Sequence, residues 1–213
     1  MLDDGKIGLE QHFTDEEMKA ICDTAHQLGL KAAAHAHGAK GIAAAVRAGV
    51  DSIEHGTFID AQGVALMKAH GTYYSGTLMA LSGLQLYMGK GIFTPNAEAK
   101  GRVALAAWGK GLNLVYKAGV KIALGTDAAV YPHGRNGEEI GLMVSKGGMT
   151  PRDALIAATK GGADLLGLAS ETGTLEIGKS ADLIAVTGDP LVDPAAVLHI
   201  GYVMVEGRPI PLK

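Results

Sequence analysis

LKAAAHAHGAKGIAAAVRAGVDSIEHGT, residues 30–57, is the stretch whose reading decides the fold. A short apolar run, 30–36, closes on His35, His37 and Gly38; an Ala-rich segment, 39–48, is stopped by Gly49; a second short run, 50–54, closes on His55 and Gly56. The pattern predicts strand, helix, strand. Short apolar strands separated by helices belong to a parallel sheet covered on both faces. Alanine is a poor strand former, so the first strand is predicted from its boundaries rather than from propensity.

The same alternation continues outward. Upstream, Thr14-Asp15-Glu16-Glu17 has capping-box spacing, and Met18, Ile21, Cys22, Ala25 and Leu28 recur at helical period until Gly29. Cys22 lies on that apolar stripe and is predicted to be packed core. Downstream come a helix over 60–69, a strand over 72–75, and an insertion-like stretch over 76–95. Thr94-Pro95 opens a helix running to about 118, followed by a strand over 120–124. Helices over 137–146, 150–158 and 163–166 follow. After Gly173 the pattern becomes strands, 182–187 and 201–206, with Gly207-Arg208 turning into 209–211.

The segment 14–126 therefore reads as four βα units, which is the content of half an eight-stranded α/β barrel. The expected division is a partial barrel over 1–170 and a small β unit over 171–213.

Composition narrows the function classes. The 213 residues are 47% apolar and 19% charged, with a net charge of −3, which describes an ordinary globular chain. No basic stripe with interleaved aromatics supports nucleic-acid binding, and no apolar run approaches a membrane span. The opening MLDDGKIGLEQ lacks the apolar core of a signal peptide, and one cysteine forms no internal disulfide framework, so a cytoplasmic protein is expected.

Three predicted strand ends carry ligand-type side chains: His35 with His37, His55, and Asp127 in Gly125-Thr126-Asp127. Strand ends of a parallel barrel share one rim, so these residues can converge. Imidazole and carboxylate together suit zinc or another first-row divalent ion, which lowers the pKa of a bound water toward neutrality. A single histidine at a strand end is ordinarily just a satisfied polar group, and Gly-Thr-Asp alone is ordinarily a turn; it is their recurrence at one end that points to a site. His37 either continues the strand beside His35 or lines a pocket; an exposed loop position is the alternative. His133 and Arg135, just beyond Asp127, are candidates for binding a substrate carboxylate, or simply a polar loop. Tyr73 and Tyr74 alternate faces of one strand, so only one turns inward; the alternation does not choose between them, and Tyr74 is carried forward as the candidate for the substrate pocket.

His35-Ala36-His37-Gly38, Ser52-Ile53-Glu54-His55-Gly56 and Gly125-Thr126-Asp127-Ala128, in this order, resemble the amidohydrolase superfamily, in particular its imidazolonepropionase-like and Xaa-Pro dipeptidase branch. Leu165-Leu166-Gly167-Leu168, the run from Gly173 to Leu183, Gly188-Asp189-Pro190-Leu191 and Val203-Met204-Val205-Glu206-Gly207 resemble the passage from barrel to β-sandwich in those enzymes. The resemblance covers 13–208. It implies the C-terminal half of a TIM-type (β/α)8 barrel, strands five to eight, with part of a small β-sandwich. It implies His35 and His55 as metal ligands, Asp127 as ligand and general base, and His37 and His133 as pocket residues.

The reaction implied is hydrolysis of a C–N bond in an Xaa-Pro dipeptide or N-acyl amino acid, with one or two divalent ions, zinc first. A cyclic-amide hydrolase or deaminase is the alternative. The sequence departs from the family by lacking its opening His-x-His pair and a strand-four Lys or carboxylate; Lys6, after Asp3, Asp4 and Gly5, is no substitute. The first four βα units are thus expected to be missing. A half-barrel exposes sheet edges, so a truncated chain, a split enzyme with a complementing amino-terminal half, or a homo-oligomer is expected, and a catalytically incomplete fragment is the competing reading.

Overall fold

In the computed structural model, residues 9–212 are described; Lys6 and the start of the chain lie outside them. The architecture is mixed α/β around a parallel sheet. Strand β1 (Ala33–Gly38) pairs with β2 (Ser52–Phe58), and β2 with β3 (Tyr73–Ser75), all parallel, in the order β1-β2-β3. Helix α1 (Asp15–Gln27) precedes them, with the expected capping box at Thr14 and Glu17. Helices α2 (Ala39–Ala48) and α3 (Ala61–His70) are the crossovers, each closed by a left-handed glycine, Gly49 and Gly71. β1 begins three residues later than the sequence suggests, because Gly29 and Leu30 still donate to carbonyls of α1.

The core lies between the sheet and these helices. Ile42, Val46, Ile53, Met67, Tyr74, Leu112 and Val115 are buried in it, and Cys22 is packed against them as expected. The segment 120–124 lies parallel beside β3 but makes only one bridge, Tyr74 with Ile122. Its last amide, Leu124 N–H, donates to Ala157 O at 3.0 Å instead of to a strand. Ala157–Gly161 is a wide π-type turn between α8 (Pro151–Ile156) and α9 (Gly162–Leu166). Gly161 is needed there, since a Cβ would lie 2.4 Å from Ile122 O.

Two expectations for the middle of the chain are corrected. The supposed insertion contains a helix, α4 (Leu78–Tyr87). Its sequence is apolar almost all round and shows no helical stripe. Its start is capped from 60 residues away: Glu139, 1% exposed, accepts from Leu78 N and Met79 N, both at 2.7 Å. The predicted long helix is two, α5 (Pro95–Ala106) and α6 (Lys110–Ala118). They are divided at Gly109, which has φ +79° and sits where a Cβ would be 2.4 Å from Lys146 O.

Helix α7 (Glu138–Ser145) carries Glu139. After α9 the chain forms an antiparallel sheet of β4 (Leu183–Val186), β5 (Ile200–Val205) and β6 (Arg208–Ile210). Glu206 and Gly207, both at positive φ, make the two-residue turn between β5 and β6. A short 3-10 helix, Pro194–Leu198, buries Ala196 and Val197 and joins this sheet to α7. Among the described residues no helix is long and apolar enough to cross a membrane.

Candidate metal centre

β1 runs on through His37, so His35 and His37, two residues apart, share one face of the strand. In the parallel register His35 stands opposite Glu54 and Ala36 opposite His55, which brings the third imidazole alongside. One nitrogen from each of His35, His37 and His55 lies within 4.8 Å of the others. The His37 and His55 rings stack at 4.8 Å between centroids, and His35 meets His55 edge-on at 4.5 Å.

The backbone at this rim is strained. His55 (φ +71°), Thr77 (φ +45°) and Asp127 (φ +53°) all occupy the left-handed region without being glycine. Such residues persist where the surroundings over-determine them, and they concentrate at functional sites. All three line one cavity of about 210 Å³ together with His35, His37 and Thr57.

Threonine hydroxyls fix two of the rings. His37 Nδ1 is hydrogen-bonded to Thr57 Oγ1 at 2.8 Å, and His55 Nδ1 to Thr77 Oγ1 at 2.6 Å. With Nδ1 engaged, Nε2 is the nitrogen each ring has left to offer, which is how a partner on one nitrogen orients a ligand imidazole. Burial, reinforced by His55 and His35, pushes the His37 pKa down to about 4. Burial and His35 also lower that of His55, against the opposing pull of Asp127 and Glu54. Both rings are therefore neutral near pH 7, the form with a lone pair to donate. Three neutral imidazoles converging in this way are a donor set that fits zinc or a related divalent ion; Asp127 borders the same cavity but is not among the groups whose donor atoms come within 4.8 Å.

The remaining candidates divide. Tyr74 borders the cavity but is 1% exposed, and its hydroxyl donates to His55 O at 2.8 Å, so it supports the strand end that holds His55. Arg135 is held by Glu138 through two hydrogen bonds of 2.7 and 2.6 Å, and His133 is exposed; neither borders the cavity. Thr57, Thr77 and Glu139 were not singled out from the sequence. Thr57 had a signal, two residues beyond His55; Thr77 and Glu139 had none.

The titrations have a measurable consequence. Burial, outweighing its two amide hydrogen bonds, raises the Glu139 pKa to about 7. A raised folded-state pKa gives stability that is full below the unfolded value near 4.5 and lost as pH rises through 7. At about 1.4 kcal/mol per unit this amounts to roughly 3 kcal/mol. His37 works oppositely: its depressed pKa gives stability present above its unfolded value near 6.5 and lost as pH falls through 4. His55, whose pKa is also lowered, acts in the same sense as His37. In urea unfolding of metal-free protein, Glu139→Gln should therefore make stability rise more steeply with pH than in the wild type between pH 5 and 7, and His37→Gln less steeply; identical slopes in the two variants would refute both assignments.

Comparison with known proteins follows the same lines. Residues 5–210 match the amidohydrolase family. The chain is 37% identical over 195 residues to ochratoxinase of Aspergillus niger, covering 88% of this chain and 40% of that protein. It is 30% identical over 179 residues to imidazolonepropionase of Mesorhizobium japonicum, covering 80% and 38%. Among solved structures, a Xaa-Pro dipeptidase with methionine bound in its active site superimposes with a TM-score of 0.91 at 37% identity, covering 97% of this chain and 52% of that one. The chain thus spans about half the length of the relatives it matches.

Proposed function

Since the chain belongs to the amidohydrolase family, we propose that it supplies the metal-binding rim of a hydrolase that cleaves a C–N bond. The observation that carries this reading is the convergence of the His35, His37 and His55 nitrogens within 4.8 Å, in one cavity with Asp127. His35, His55 and Asp127 would hold the ion, zinc first. When bound, a divalent cation there supplies Lewis acidity and makes water a competent nucleophile near neutral pH.

The protein's own groups do the rest. Asp127, at the mouth of the cavity, accepts the proton of the attacking water and returns it to the leaving nitrogen, so that amine and acid are released and the carboxylate is regenerated. His37, clamped by Thr57, lines the cavity beside the substrate. Tyr74 holds the His55 carbonyl from below. His133 and Arg135 lie on the loop beyond Asp127 and would reach a substrate carboxylate only once Arg135 exchanges its hold on Glu138.

In this reading the parallel strands and the segment 120–124 are strands five to eight of a (β/α)8 barrel over 1–170, and 171–213 are part of a β-sandwich. An amino-terminal half, or another copy of the chain, completes the barrel. Likeness to a Xaa-Pro dipeptidase and to ochratoxinase favours a dipeptide or N-acyl amino acid as substrate. Likeness to imidazolonepropionase favours a cyclic amide as the second reading.

Metal analysis of the purified chain tests the proposal. Near-stoichiometric zinc is expected in the wild type and its loss in His55→Ala; protein that takes up no zinc at micromolar free concentration would sink it. Hydrolysis of Xaa-Pro dipeptides and of imidazolone-type cyclic amides, with and without an added amino-terminal half, then separates the two substrate classes.

A further inference from the structure

We propose that Glu139 is a positioning residue for His55, acting through the first turn of α4. This deepens the metal-centre reading and rests on it for its functional meaning. The sequence position Thr77 is the N-cap of α4, where a threonine hydroxyl ordinarily accepts from an amide of its own helix. Thr77 makes no such bond: its backbone is left-handed and its hydroxyl is turned onto His55 Nδ1 at 2.6 Å. The helix is capped instead by the Glu139 carboxylate, one oxygen on Leu78 N and the other on Met79 N. Trp108 Nε1 donates to Leu78 O at 3.1 Å and secures the same turn.

The capping duty and the ring-orienting duty are thus divided between two side chains 62 positions apart. Glu139 satisfies the buried first-turn amides of α4, which leaves the Thr77 hydroxyl available to the imidazole, and it fixes the residue adjoining Thr77 in space. A carboxylate that is 1% exposed and bonded only to those amides has no other evident partner among the described hydrogen bonds. If the carboxylate is withdrawn, Thr77 is drawn back toward its own helix, and His55 loses the contact that sets its ring.

The test uses metal-free chain labelled with ¹⁵N-histidine, held above pH 7 so that Glu139 is ionised, followed by zinc titration against a competing chelator. Glu139→Gln keeps the shape but turns an amide donor toward backbone donors; Thr77→Val removes the hydroxyl at constant shape; Thr77→Ser restores it. In Glu139→Gln the His55 ring nitrogens are expected to shift toward their positions in Thr77→Val. Zinc is expected to bind about tenfold more weakly in either variant, the usual scale for a ligand's supporting partner. The double variant should be no worse than Thr77→Val alone, and Thr77→Ser should approach the wild type.

A Glu139→Gln protein with wild-type His55 nitrogens and unchanged zinc affinity overturns the proposal, whatever its melting temperature. So do strictly additive losses in the double variant. Should Glu139→Gln fail to fold, Glu139→Asp, which keeps the charge on a shorter arm, is read by the same two measurements. Wild-type chain that binds no zinc defeats the metal-centre reading, while the ring spectra still decide the coupling of Glu139 to His55.

Discussion

Asp127→Asn is expected to lower kcat by about 10²–10⁴-fold on an Xaa-Pro dipeptide at saturating zinc, with the amino-terminal half supplied. Asparagine keeps the size and most hydrogen bonds of the carboxylate but accepts no proton at neutral pH. The left-handed backbone at Asp127 (φ +53°) is one that asparagine tolerates well, so the fold should survive the change. Because Asp127 is also a proposed metal ligand, zinc affinity is expected to fall too, and the assay is run across zinc concentrations to separate occupancy from chemistry. A variant that regains wild-type kcat once zinc is saturating would show that Asp127 is a ligand and not the base.

The second large effect is on stability. Gly56→Ala would place a methyl 2.3 Å from Tyr74 Cε2, at a position where φ is +54°. The Tyr74 ring is buried and its hydroxyl is tied to the His55 carbonyl, so it has nowhere to retreat. Left-handed strain on alanine of about 1–2 kcal/mol adds to overpacking of about 1–3 kcal/mol. The expected loss, read from urea midpoints, is therefore roughly 2–5 kcal/mol. Tyr74→Ala alone should cost about 3–5 kcal/mol as a cavity. Combined with Gly56→Ala it should cost clearly less than the sum, because the ring that the methyl strikes is gone. Strict additivity would show that the contact between the two positions is not what makes Gly56 necessary.

The histidine cluster of the candidate site was legible in the sequence because it rests on local patterns. The strand ends at His35 and His55 are bracketed by apolar runs and glycines, and parallel pairing does the remainder. The position of His37 was open because Gly38 signalled an end to the strand; β1 includes Gly38, which leaves His37 on the same face as His35. Helix α4 was illegible for the opposite reason. Its apolar surface carries no period, and its cap is Glu139 rather than a neighbour in the chain. The break before α6 was equally hidden, since Gly109 announces a bend only once Lys146 is known to press against it. Thr77 shows no cap bond to its own helix, so no capping rule applied to the sequence would have found its role.

The wide turn at Ala157–Gly161 bears on how the rim behaves over time. Ala157 O takes the Leu124 amide, so the stretch leading into Asp127 is tied to β3 through Tyr74 in its middle but to a helix at its last amide. The carboxylate and the imidazoles therefore answer to different supports: a shift of that helix would reach the aspartate three residues further on through one hydrogen bond, while His35, His37 and His55 are seated on the paired strands β1 and β2.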